Sequence, residues 1–179
     1  MPEEKINQMF FKLGMDLLNK GRWFVQNAYK LSPVVFERTT ILQSLVNTLG
    51  LRNDQISLFD EKYYLTSWDK MGKIIDYDLI NEMVYHYDWA DCNNFAFLFA
   101  SRASYLYNLN SFGVAVGDVF DLKGNKINRH CFNIIAVNDI SGLKLYCYEP
   151  MTDGFTLIQK GNKIIIGSWE YKIDWCIFY

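Results

Sequence analysis

The chain reads as an α+β domain, with its helices first and an antiparallel β-sheet second. Two observations carry this reading. Apolar residues recur at helical spacing as far as Leu106, and after Asn110 the period shortens towards two. Glycine-bearing turns then divide the second half into short β-branched and aromatic runs, as hairpins require. No internal repeat, low-complexity tract or linker interrupts the sequence, so residues 1–179 are expected to form a single domain. Within it, residues 1–50 form a helical N-terminal subdomain and 63–179 the core.

Each element has its own local reason. Ile6, Met9, Phe10, Leu13 and Leu17 give residues 3–20 an apolar helical stripe, with Gly21 as its stop. Ser32 followed by Pro33 has the form of an N-cap with proline in the first turn. It opens a second helix with the stripe Val34, Ile41, Leu42, Leu45 and Leu49, closed by Gly50. From Leu51 to Tyr77 the pattern loosens, punctuated by Asn53-Asp54, Ser67 and Gly72, and a short helix is expected from Asp78 to Tyr85. Asp91 is a natural N-cap for the nearly all-apolar helix that includes Asn94–Leu106. Strands are expected at Val114–Val119, Cys131–Val137, Leu143–Glu149, Lys163–Ile166 and Tyr171–Phe178. The turns Lys123-Gly124-Asn125, Ser141-Gly142 and Lys160-Gly161-Asn162 place glycine where hairpins need φ > 0.

Composition narrows the function classes. A net charge of −2 and scattered lysines and arginines leave no basic field for nucleic acid. No run of about 18 apolar residues suits a membrane span, and the N-terminus lacks the basic and apolar regions of a secretory signal. The four cysteines, Cys92, Cys131, Cys147 and Cys176, form no CxxC pair, so reduced thiols in the cytoplasm are the expectation.

Chemistry concentrates at Asp91-Cys92-Asn93-Asn94. A thiol in the first turn of a helix meets unpaired backbone N–H groups that favour the thiolate and can also stabilise an oxyanion. His130, one of two histidines, precedes the strand Cys131–Val137 and could act as a base; alternation sets it on the face of Phe132, with Cys131 and Asn133 on the other. Glu149, at the end of the next strand before Pro150, could orient that histidine, with Asp153, Asp139 and Asn133 as competitors. Without such partners Cys92 would read as a small buried hydrophobe. Three cues in this order, each at an element boundary, point to a nucleophile, a base and an orienting group. A zinc site from Cys92, Cys131, Cys147 and His130 lacks the paired short spacings such sites use. Asp88, Asp91, Asn93, Asn94 and Asp118 are oxygen donors that could hold calcium but form no recognisable loop, and Asp91, Asn93 and Asn94 suit helix capping better. His86, six residues before Cys92, reads as a plain surface or packing histidine.

Four segments carry a family likeness: Tyr87–Ala96, Gly113–Gly117, His130–Asn133 and Tyr148–Asp153. Together they resemble a papain-like cysteine protease domain, such as the C-terminal domain of the Marasmius oreades agglutinin and related bacterial and phage proteins. The likeness spans roughly residues 63–155. It implies a papain-like or transglutaminase-like fold with a Cys92–His130–Glu149 triad. The agglutinin domain is calcium-dependent, whereas Asn93 and Asn94 stand where relatives favour aspartates, and Met151 stands where a glutamine is usual. No cofactor is therefore carried over, calcium staying open as a candidate, and no lectin module is implied.

The expectation is a cytoplasmic thiol protease or related hydrolase that cleaves a peptide or other amide of a peptide or protein substrate. Trp89 and Tyr87 would line the cleft. Transglutaminase-like acyl transfer is an alternative on the same residues. Another is a non-catalytic, phage-encoded interaction module, its added N-terminal helices covering the cleft or forming a homodimer contact.

Overall fold

A computed structural model describes residues 3–29, 31–86 and 91–179. The first helix, α1 (Glu3–Tyr29), runs on through Gly21 rather than stopping there. A glycine inside a helix costs only about 1 kcal/mol against alanine, so it does not end one by itself. The expected second helix starts later than Ser32-Pro33 suggests. Its β-branched opening is a strand, β1 (Val34–Glu37), and α2 (Arg38–Leu49) follows, closed by Gly50 in the left-handed region at φ 71°.

The stretch from Leu51 to Tyr77 is more regular than its sequence implies. It holds β2 (Ile56–Leu58), β3 (Lys62–Leu65) and α3 (Trp68–Asp76). Val34 of β1 lies opposite Leu65 of β3 in an antiparallel pair. Ser67 caps α3 by accepting from the Lys70 N–H, and Met71, Ile74 and Ile75 bury one face of it. The helix expected from Asp78 to Tyr85 shrinks to a single 3-10 turn, Ile80–Glu82. The Asp78 carboxylate takes the Ile80 N–H at 3.0 Å, drawing the backbone into a turn. Beyond it come α4 (Cys92–Tyr107), β4 (Phe112–Asp121), β5 (Lys126–Asp139) and β6 (Gly142–Glu149), then β7 (Gly154–Leu157), β8 (Ile164–Ile166) and β9 (Trp169–Phe178). Sequence periodicity had not separated β7 from its surroundings.

The main sheet has the order β2-β9-β4-β5-β6-β7, with β8 added to β9. It is antiparallel except where β2 runs parallel to β9. Strand β5 shows how it is sandwiched. Phe132, Ile134 and Ala136 pack with Ile41 and Leu45 of α2, while Cys131, Ile135 and Val137 pack with α3 and with Phe95 and Phe99 of α4. Period-two alternation thus feeds two cores, one on each face. Helix α1 lies on α4 through Tyr105, whose hydroxyl donates to Asn19 and whose ring lies 4.6 Å beneath the Arg22 guanidinium. Phe11, Leu13, Leu17 and Leu18 of α1 remain exposed.

One irregularity sits beside His130. The β4–β9 register slips between Val116 and Gly117, so Val116 faces Trp175 but Gly117 faces Ile173. A side chain at Gly117 would drive into the Lys172 carbonyl oxygen. On its other side Gly117 is the register partner of His130 in β5. The close approach of β9 at this point requires glycine.

Candidate active site

Helix α4 starts where it does because Asp91 and Asn94 cap it reciprocally. The Asp91 carboxylate accepts from the N–H groups of Asn93 at 3.1 Å and Asn94 at 3.5 Å, and Asn94 Oδ1 accepts from the Asp91 N–H at 3.2 Å. This capping box fixes Cys92 as the first helical residue. Phe95, Ala96, Phe99 and Ala100 anchor the helix below it, leaving Cys92 half-buried at the positive end of the dipole.

His130 reaches the same place from β5. Its side chain is 12% exposed, and Nε2 donates to Glu149 Oε2 at 2.6 Å. Cys92 lines the same cavity and lies close enough to influence the ring, and with Nε2 turned to Glu149, Nδ1 is the nitrogen left to face the thiol. Burial lowers the pKa of the imidazolium. The hydrogen bonds and charges of Cys92 and Glu149 outweigh burial and raise it to about 9.

Glu149 ends β6 with its side chain only 2% exposed. Oε1 accepts the Met151 N–H at 3.2 Å, and Oε2 accepts the Tyr171 hydroxyl at 3.1 Å in addition to His130. Position 151 thus contributes its backbone N–H to Glu149. A buried carboxylate without partners would cost several kcal/mol, and among the described residues this one has three donors.

The competitors are engaged elsewhere. Asp153 accepts from Tyr148 at 2.7 Å and from Asn81. Asp139, at the far end of β5, accepts the Ile140 N–H. Asn133 faces α4 and donates to the carbonyls of Ala96 and Gly113. His86 is exposed, and Tyr87 and Trp89, expected to line the cleft, lie outside the described residues, as does Asp88. Of the calcium candidates, the oxygens of Asp91 and Asn94 serve the cap and Asp118 pairs with Lys126 at 2.7 Å. Among the described residues no cluster of three or more His, Cys, Asp or Glu could hold a metal ion.

Cys92, His130 and Glu149 open together onto a cavity of about 220 Å³ whose walls include Tyr85, Val119, Ile127, Met151 and Trp169. The walls are mostly apolar, and Trp169, Tyr85 and Ile127 form an exposed rim. Sequence reasoning missed these three and Tyr171. Only the aromatic bias of the last strand hinted at Trp169 and Tyr171, and no spacing rule joins them to Glu149. The other three cysteines are buried. Burial pushes the Cys131 and Cys176 thiols up to about 12 and Cys147 well above its ordinary value.

No protein-family model matches the chain, and no curated protein does. Solved structures do. One described as "PSL1a-E64 complex" is 19% identical, with a TM-score of 0.54 over 80% of this chain and 50% of its own. A second, of Polyporus squamosus lectin bound to the human-type influenza-binding epitope Neu5Aca2-6Galb1-4GlcNAc, is 14% identical, with a TM-score of 0.57 over 80% of this chain and 49% of its own. The chain shares its α+β fold with these lectins and spans about half their length. They overturn the expected description as a cysteine protease, thiol protease or hydrolase, because the matching solved structures are lectins. No helix among the described residues is long and apolar enough to cross a membrane.

Proposed function

We propose that the chain carries a thiol-dependent acyl-transfer site that acts on an amide bond, on a papain-like arrangement of helix and sheet. The observation that carries this reading is the convergence of Cys92, His130 and Glu149 on one cavity, with His130 Nε2 2.6 Å from the Glu149 carboxylate. In the mechanism the Cys92 proton passes to His130 and the sulfur attacks the amide carbonyl carbon. The developing oxyanion lies near the first N–H groups of α4, the Cys92 N–H among them. His130 then protonates the departing amine, leaving a thioester on Cys92. Water, or an amine in the transglutaminase-like variant, attacks the thioester and regenerates the thiol. Glu149 holds the imidazole orientation throughout.

Limiting iodoacetamide near pH 6, with the labelled thiol mapped by mass spectrometry, tests this. Cys92 is expected to react alone, and His130→Ala to slow it by about 100-fold, the scale of general acid–base assistance. E64, the compound in the neighbour's complex, provides a second probe, and its mass is expected on Cys92. Four cysteines reacting slowly and alike would overturn the reading.

The lectin neighbours favour a second reading, a binding module whose cleft does no chemistry. It predicts uniformly sluggish thiols together with measurable binding of Neu5Aca2-6Galb1-4GlcNAc, the epitope bound by the second neighbour.

A further inference from the structure

The Tyr171 hydroxyl donates at 3.1 Å to the same Glu149 oxygen that receives His130 Nε2. We propose that Tyr171 is a positioning residue, its phenol fixing Glu149 Oε2 in the plane from which the carboxylate orients His130. This rests on the reading of Cys92, His130 and Glu149 given above.

Geometry limits what else could do this. A carboxylate at a strand end swings about its side-chain torsions unless both oxygens are held. Oε1 is pinned by the Met151 backbone N–H, only two residues along the same turn. Among the described residues, Oε2 has two side-chain partners, His130 and Tyr171. Since His130 is the group to be oriented, Tyr171 is the fixed donor of the two. Its ring packs edge-on against Phe132 with centroids 5.0 Å apart, and it is itself buried. The strand behind it is held by β4 and β8, where Tyr171 pairs with Val119 and Ile164. The clamp therefore reaches Glu149 from a strand that shares no direct pairing with β6. Desolvation raises the Tyr171 pKa, so the phenol stays a proton donor at every pH at which the site could work.

Among the described residues, the titratable groups that interact with Glu149 are His130 and Cys131 on β5, Cys147 and Tyr148 on β6, and Tyr171 on β9. Cys92 on α4 reaches it through His130. Of these, Tyr171 and His130 hydrogen-bond its side chain.

The test compares the pH dependence of Cys92 alkylation in the wild-type chain and in the Tyr171→Phe, Phe132→Leu and Glu149→Gln variants. A hydrogen bond to the charged form of a group shifts titration behaviour by about one pH unit. Tyr171→Phe keeps the ring. It is expected to move the acid limb of the profile upward by about one unit and to slow alkylation at pH 5 several-fold, with the rate near pH 7.5 nearly unchanged. Phe132→Leu, which loosens the packing and leaves the hydroxyl, is expected to lower Tm without moving the limb. His130, one of two histidines, gives a parallel readout by NMR titration. If Glu149→Gln alters the profile and Tyr171→Phe leaves it unchanged, the positioning role is refuted while the triad stands. If neither variant changes it and Cys92 is not selectively alkylated, the triad itself fails and this role falls with it.

Discussion

His130 is where opposing forces on a single residue are best resolved. Burial disfavours its charge, yet Cys92 and Glu149 together raise its pKa from 6.5 to about 9. Because the folded value lies above the unfolded one, the group stabilises the native state fully below about pH 6.5. That contribution is lost as pH rises through about 9. Tm measured from pH 6 to 10 is therefore expected to fall across this window in the wild-type chain, and to fall less in His130→Ala. Parallel curves for the two proteins would contradict the assigned pairing. At this scale the sequence was informative for scarce residue types and poor for abundant ones. There are two histidines, so His130 stood out as a candidate base. With twelve tyrosines, nothing singled out Tyr171, whose bond to Glu149 depends on how β9 sits across the sheet.

At the scale of elements, strands with strict alternation and helices with clear caps were legible. Cys92–Tyr107, Lys126–Asp139 and Gly142–Glu149 contain the elements expected there. Ser67 and Gly72 misled in opposite senses, one being the cap of α3 and the other a glycine within it. Strands β1, β2, β3 and β7 were missed because three or four residues are too short for a period to emerge; β8, equally short, was legible from its three consecutive isoleucines. Their pairing depends on distant partners, as where Ile56 of β2 meets Cys176 of β9. The register slip at Gly117 belongs to the same class, since no local pattern announces a bulge. Gly117→Ala is expected to destabilise the fold by about 2 kcal/mol, the scale of overpacking. Urea unfolding would show this as a lower midpoint at unchanged slope. The same change should disturb His130, its neighbour across β4–β5, and slow Cys92 labelling. A neutral substitution would mean that β9 yields more readily than its backbone contact implies.

For the molecule as a whole, the two cores lie on opposite faces of one sheet, and the site forms where α4 and the strands meet at its margin. Helix α1 contributes little to either core among its described side chains, with Val25 packed and Phe11, Leu13, Leu17 and Leu18 exposed. A chain beginning at Leu31 is therefore expected to unfold cooperatively and to label Cys92 at the full-length rate; loss of either would make α1 part of the structural unit. The three buried cysteines give the fold a further property. Cys147 lies on β6 near one side of the sheet, Cys131 on β5 in the middle, and Cys176 on β9 towards the other side. Each thiol is thus a clock for its own strand, silent until that strand separates from its neighbours. Hydrogen–deuterium experiments would require dozens of amide signals to follow such openings. Here, pulsed alkylation in mild denaturant would read the order in which the sheet comes apart from three masses.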